Sequence, residues 1–168
     1  VRYHNIINIL KAFKLFKKNN NKTRLVFVLQ ILDKKYFLEI KKYVDNNFFH
    51  GEIIFLNGLD NKYLTNLYKN ANLFVFSSYC EVFGLTSLEA MSQNCPVAIS
   101  NTTALPEING NAAHYFDPDN IKDIKESLRI LIVNKDYTKN LILKGNNHFK
   151  KFNWEKTVFE TCHVLELN

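Results

Sequence analysis

The residues best placed to do chemistry lie in one string, Ser77-Ser78-Tyr79-Cys80-Glu81-Val82-Phe83-Gly84-Leu85-Thr86-Ser87-Leu88-Glu89-Ala90-Met91. The string follows an apolar run, turns at Gly84 and enters a segment with helical character. The first backbone N–H groups of a helix have no partner within it, and the helix dipole makes that end positive. Amides of Phe83, Gly84 and Leu85 can therefore cradle an anion such as a phosphate. Gly84 has no side chain to keep the anion away. Glu81 lies in the turn and Glu89 in the helix, so two carboxylates flank the cradle. Carboxylates accept hydrogen bonds from hydroxyls, which sugars and riboses supply. Together these groups suit a diphosphate carrying a hydroxyl-rich group at each end. Structural readings stand beside this one. Thr86-x-x-Glu89 has the spacing of a capping box. Glu81 can be a solvated loop acid. With nine Glu in the chain, a pair eight residues apart carries little weight alone.

The elements that must position this string alternate in type. Residues 6–18 place Ile6, Ile9, Leu10, Phe13 and Phe16 at helical spacing, and Asn19-Asn20-Asn21 ends that helix. Residues 24–30 form an apolar run without alternation, as in a strand buried on both faces. A helix is expected over 34–46, a strand over 52–56 closed by Asn57-Gly58, and a helix over 61–70 capped by Asp60. Strands follow at 72–77, 96–100 and 113–116. Helices follow at 86–93, near Pro106, and at about 120–133, 136–150 and 154–166. This order predicts an α/β fold, a Rossmann-like parallel sheet with helices on both faces. Ligands of such sheets sit beyond the carboxyl ends of the strands. The chain opens on a helix where a doubly wound domain opens on its central strand, so the first strand is expected to be missing. We read residues 1–168 as a single, partial domain. Its unpaired strand edges are expected to leave it poorly stable and inactive on its own.

Composition excludes several classes. The 168 residues are 46% hydrophobic and 14% aromatic, which excludes a disordered chain. No apolar run approaches the ~18 residues of a membrane span. The net charge of +6 could suggest nucleic acid, but its distribution argues against that partner. Residues 1–42 hold eleven Lys/Arg against two acids, whereas residues 43–121 hold two against eight. The chemistry-bearing centre is thus acidic, unlike a nucleic-acid site. The Lys11, Lys14 and Lys18 face of the first helix has two readings: a solvated surface, the commoner one, and a peripheral contact with anionic lipid. Cys80, Cys95 and Cys162 fit no zinc or redox spacing. Reduced thiols and a cytoplasmic location are expected. The five His are scattered, with no metal-ligand pairing. The start, Val1-Arg2-Tyr3-His4-Asn5, has neither Met nor a signal-peptide core, which suggests a fragment.

Longer strings narrow the reading. EVFGLTSLEAM, then NCPVAISNTTALPEI, then AAHYFDP, closely resemble the donor-binding half of the retaining family-4 glycosyltransferases, which have the GT-B fold. Glu81 and Glu89 match that family's E-x7-E motif. The likeness runs from Leu67–Val75 to Phe152-Asn153-Trp154-Glu155. The resemblance implies the C-terminal Rossmann-like domain of a two-domain enzyme, whose N-terminal lobe carries the acceptor site. It implies that Glu81 contacts the donor sugar near the reacting carbon and that Glu89 bonds the ribose. Amides of Phe83, Gly84 and Leu85 would hold sugar hydroxyls and the diphosphate. Asn57, Gly58 and Leu59 would lie against the base, and Thr102 and Thr103 would line the cleft. The donor would be a UDP- or GDP-hexose, and the acceptor a glycan or lipid-linked glycan. No metal or other cofactor is implied. The helix at 154–166 would pack toward the N-terminal lobe.

Departures from the pattern carry their own expectations. Val82 stands where Gly is usual and stiffens the turn. Ser77 replaces Pro. Asn94 replaces a helix-ending Gly, a position Asn tolerates. Thr103-Ala104 replaces a Gly-rich pair. His4 stands where a phosphate-binding Lys is usual, and could serve only when protonated. Cys80 is expected to be small and buried, and Trp154 to be a core or lobe-packing aromatic.

Overall fold

A computed structural model describes residues 1–18 and 22–165. A 3-10 turn, Arg2–His4, leads through Asn5 into α1, Ile6–Lys17. The expected stripe forms: Ile6, Ile9, Leu10, Phe13 and Phe16 are all buried. The predicted stop at Asn19-Asn20-Asn21 lies outside the described residues. Then come β1 (Leu25–Leu29), α2 (Lys34–Asn47), β2 (Ile53–Asn57), α3 (Asn61–Asn70) and β3 (Phe74–Phe76). They are followed by α4 (Leu85–Ser92), β4 (Val97–Ser100), α5 (Leu105–Asn109) and β5 (His114–Phe116). The chain finishes with α6 (Ile121–Val133), α7 (Lys135–His148) and α8 (Trp154–Val164). Side chains start several helices. Asp33, Asn120, Asn134 and Asn153 each accept a first-turn N–H of α2, α6, α7 and α8 respectively. Asp60 occupies the same position before α3 but makes no such bond. No described helix is long and apolar enough to cross a membrane.

All strand pairs are parallel, as expected, but they form two groups, β2-β1 and β3-β4-β5. Helices cover both faces. On one face α1 and α2 pack with β1 and β2, and α6 contacts α1. On the other, α3, α4 and α5 bury Tyr68, Leu88, Met91 and Leu105 against β3 and β4. β4 is buried at every position, which marks it as interior. β1 differs from expectation. Only Phe27 is buried there, while Val26 and Val28 are 39% and 38% exposed. The cause is a cavity of about 1280 Å³ lined by residues of both β1 and β3, which keeps the two strands from pairing.

α8 buries no residue. Trp154 is 80% exposed and Phe159 74%. Trp154 is therefore not a core residue of the described chain. Cys80 is also exposed, contrary to expectation, because it lies on the turn beyond β3 rather than in the strand.

Candidate functional site

The site forms where β3 and β4 end. Three serines knit this end together. Ser77, fully buried, donates from Oγ to the carbonyl of His4 at 3.0 Å. The Tyr79 N–H donates to the Tyr3 carbonyl at 2.8 Å, so the chain beyond β3 is stitched to residues 3–4. Ser100 Oγ and Thr102 Oγ1 both donate to the Ser78 carbonyl, at 2.5 and 3.0 Å. Ser77 therefore has a use that Pro could not serve: its hydroxyl gives a carbonyl in the interior a hydrogen-bond partner.

Glu81 sits on the turn held by these bonds. Its N–H donates to Thr103 Oγ1 at 3.0 Å, and its carbonyl lies 3.5 Å from the Ala104 N. The Thr102 and Thr103 hydroxyls are thus engaged in holding loops. They position the Glu81 turn against the start of α5. Thr103 does so at φ +50°, an uncommon conformation for a β-branched residue. Asn94 likewise adopts positive φ, +60°, and its side chain accepts from Asn146. Asn at that position suits the backbone, as anticipated.

Gly84 starts α4 with φ +84°. A Cβ there would meet Leu105 Cδ2 at 2.5 Å. Leu105 is fully buried, so two demands require glycine: a left-handed backbone and close packing on α5. α4 has no side-chain cap. Gly84, not Thr86, precedes its first turn, so Thr86 and Glu89 do not form a capping box. The N–H groups of Phe83, Gly84, Leu85 and Thr86 have no partner among the described residues. They stand at the positive end of the helix, beside Glu81. Phe83 and Leu85 are exposed. The Phe83 ring meets Phe152 edge-on at 5.9 Å, which ties the turn to the segment after α7.

Glu89 lies one turn into α4 and is half-buried. Its Oε2 accepts from the Tyr68 hydroxyl at 3.3 Å. Burial, with Glu89 adding to it, raises the Tyr68 pKa, so the phenol stays a donor. Tyr68 orients Glu89 from α3, and no local sequence signal points to it. Asn109, fully buried at the end of α5, is a second such residue. Its Oδ1 lies 2.6 Å from Ser87 Oγ, joining α5 to α4 behind the site.

His4 is packed into the fold. Its ring lies 5.7 Å from that of Phe76, and Nδ1 is buried with no partner among the described residues. Burial lowers its pKa from the ordinary 6.5, although Glu81 pulls the other way. At neutral pH the ring is uncharged, so it is a poor substitute for a lysine facing phosphate. Asn57, Gly58 and Leu59 stand at the end of β2, the outermost strand, away from the Glu81 turn. Gly58 has φ +64°, as the turn requires. Leu59 lines a depression with Tyr63 and Leu67, and Leu67 also lines the large cavity that Glu81, Gly84 and Leu85 border. The sequence-predicted residues Glu81, Gly84, Thr102 and Thr103 are thus held together by direct bonds and packing, and His4 and Leu85 line the cavity with Glu81. Among the described residues, no group of three or more His, Cys, Asp or Glu could hold a metal ion.

Residues 1–148 match the family described as glycosyl transferases group 1. The chain belongs to that family. As a group 1 glycosyltransferase it resembles the O-antigen chain mannosyltransferase B of Escherichia coli, at 33% identity over 117 residues. That match covers 70% of this chain and 31% of the relative. The O-antigen chain mannosyltransferase RfbU of Salmonella typhimurium is 26% identical over 153 residues, covering 91% of this chain and 41% of the relative. The glycosyltransferase chain therefore spans about a third of the first of these relatives and two fifths of the other. Among solved structures, Anabaena Alr3699/HepE in complex with UDP-glucose superposes with a TM-score of 0.88 at 13% identity, covering 99% of this chain and 46% of that one. The C-terminal domain of the Francisella tularensis group 1 protein LpcC gives 0.78 at 21% identity, covering 90% and 80%. The fold is that of a C-terminal GT-B glycosyltransferase domain.

Proposed function

We propose that this chain is the donor-binding part of a retaining, family-4-like glycosyltransferase. It takes a hexose from a nucleotide-diphosphate sugar and passes it to a glycan or lipid-linked acceptor during polysaccharide assembly. The observation that carries the reading is the unpartnered amide end of α4, set between Glu81 and Glu89. As the sugar leaves, positive charge develops on its ring and negative charge on the diphosphate. Fixed amides stabilise the second without reorganising, and a carboxylate beside the ring stabilises the first. In this reading Glu81 serves the sugar, and Glu89, held by Tyr68, serves the ribose. Glu81 is not assigned as a covalent nucleophile. The names of the relatives, O-antigen mannosyltransferases, favour a mannose donor and envelope glycan synthesis. UDP-glucose in the Anabaena structure supports a nucleotide sugar as ligand. A second lobe would bring the acceptor, and the exposed apolar face of α8 would pack toward it. The location proposed is cytoplasmic, with no metal required.

One observation favours a non-catalytic nucleotide-sugar module: His4, which stands where a phosphate-binding Lys is usual in the family, packs against Phe76 with its Nδ1 buried. The test is calorimetry of the complete protein with UDP, GDP and their hexose conjugates, followed by transfer assays. Donor binding with transfer abolished by Glu81→Ala supports the enzyme. Donor binding with no transfer by the unaltered protein would select the module, and no nucleotide binding would refute both.

A further inference from the structure

The turn that carries the unpartnered amides is held from outside α4 by a closed circuit of contacts. The Phe83 ring meets that of Phe152 edge-on, with centroids 5.9 Å apart and planes at 88°. The Phe152 ring lies 5.5 Å from that of His148, the last residue of α7. His148 Nε2 is 2.7 Å from the Ile108 carbonyl. A carbonyl only accepts, so this nitrogen carries the proton and donates. Ile108 belongs to α5, whose first residue, Leu105, packs on Gly84. The circuit thus passes from Phe83 through Phe152, His148, Ile108 and Leu105 to Gly84, and closes on the peptide that joins Gly84 to Phe83. Two braces grip that peptide, α5 at Gly84 and the segment after α7 at Phe83. The bond from His148 to Ile108 ties the braces to each other.

We propose that Phe152 is a positioning residue for the amide turn, acting through the Phe83 ring. The inference rests on the reading of that turn as the diphosphate site. The directions of the Phe83, Gly84 and Leu85 N–H groups depend on the backbone angles of Phe83 and Gly84. Glycine is the least restricted residue, and α4 has no side-chain cap to fix its first turn. Leu105 restrains Gly84, and Phe152 restrains Phe83. Donors already in place stabilise charge without reorganising. A turn released on the Phe83 side therefore binds a diphosphate less tightly, although every hydrogen-bonding group is still present. An edge-to-face aromatic pair is strong enough to shift such an equilibrium about 2- to 12-fold. The coupling is reciprocal, so a nucleotide that orders the turn also orders the segment around Phe152.

The test uses the complete protein, with calorimetry against UDP and GDP and hydrogen exchange at three amides. The Ser87 N–H, bonded to the Gly84 carbonyl at 3.0 Å, reports the turn, and the Phe152 N–H, bonded to the Phe149 carbonyl at 3.0 Å, reports the brace. The Ile99 N–H, in buried β4, reports the whole fold. Phe152→Leu should speed exchange at Ser87 about 2- to 12-fold with Ile99 unchanged, and weaken the bound nucleotide by a similar factor. Phe152→Tyr keeps the ring and should restore both, and nucleotide should slow exchange at Phe152 in the unaltered protein. Unchanged exchange at Ser87, an equal rise at Ser87 and Ile99, or unchanged nucleotide affinity would each overturn the proposal. If Phe152→Leu does not fold, Phe83→Leu removes the same contact from the other side, and the same outcomes at Ser87 and Ile99 decide. Absence of nucleotide binding by the unaltered protein refutes the diphosphate reading and, with it, the role proposed for Phe152; binding with no response to Phe152→Leu refutes that role alone.

Discussion

Replacing Gly84 by alanine tests the packing that shapes the candidate anion site. Two costs follow from the structure. The residue must hold φ +84° with a Cβ, which costs roughly 1–2 kcal/mol for an L-residue. The new methyl must also be accommodated 2.5 Å from Leu105 Cδ2. A flexible surface leucine would swing away cheaply. Leu105 is fully buried and packed with Leu88, Met91, Val97 and Ile99, so its movement displaces other core atoms. Overpacking of this kind costs roughly 1–3 kcal/mol. The total expected is about 2–5 kcal/mol, read as a shift of the urea midpoint at constant slope. A double-mutant cycle separates the two costs. Leu105→Ala opens a cavity that the introduced methyl can enter, so Gly84→Ala should cost only the backbone share in that background. The coupling should be favourable by about 1–3 kcal/mol. A single-mutant cost below about 0.5 kcal/mol, or strictly additive mutants, would refute this account of the turn.

Three further predictions concern the neighbours of that turn and a buried histidine. Tyr68→Phe removes the hydroxyl that holds Glu89; it should cost about 0.5–1.5 kcal/mol of stability and weaken nucleotide binding by the complete protein. Unchanged affinity in calorimetry would deny Tyr68 its orienting role. Thr103→Gly should relieve about 1 kcal/mol of backbone strain yet release the Glu81 N–H, leaving Tm little changed while lowering donor affinity; Thr103→Ser should preserve affinity. Equal affinity in the Gly and Ser variants would show that this bond does not position Glu81. His114 lies 3.0 Å from Tyr137 Oη and 3.1 Å from Ser127 Oγ, and burial lowers its pKa from the ordinary 6.5, with Asp123 opposing. The folded protein then holds this proton less tightly than the unfolded chain. The stabilisation is complete above the ordinary value and lost progressively as pH falls below it toward the lower folded value. His4 contributes in the same direction. Stability measured by urea at each pH should fall on acidification, and less steeply in His114→Gln; an identical slope in that variant would contradict the assignment.

Much of the candidate site is legible in the sequence because its determinants are local. A glycine between an apolar run and a helix, with carboxylates on either side, predicts a strand–turn–helix anion site, and the structure has that geometry at Gly84. What escapes the sequence is tertiary. Tyr68 reaches Glu89 from another helix, and Asn109 supports α4 from behind. The family resemblance implies that Thr102 and Thr103 line the cleft. Their hydroxyls also bond the Ser78 carbonyl and the Glu81 N–H, partners more than twenty residues away. Cys80 has the type of a buried residue, whereas the turn carries it to the surface.

The most instructive disagreement is β1. Its sequence, Leu-Val-Phe-Val-Leu, has the unbroken apolar character of a strand covered on all sides. Its surroundings cover only Phe27 well, and Val26 and Val28 each keep more than a third of their surface. A run of five apolar residues is costly to leave in water, at roughly 25 cal/mol for each Å². It also presents an edge open to aggregation. β4, which has strands on both sides, shows the match between sequence and burial that β1 lacks: Val97, Ala98, Ile99 and Ser100 are all fully buried. Sequence and burial therefore disagree along the edge that borders the cavity, and agree where a strand lies on each side.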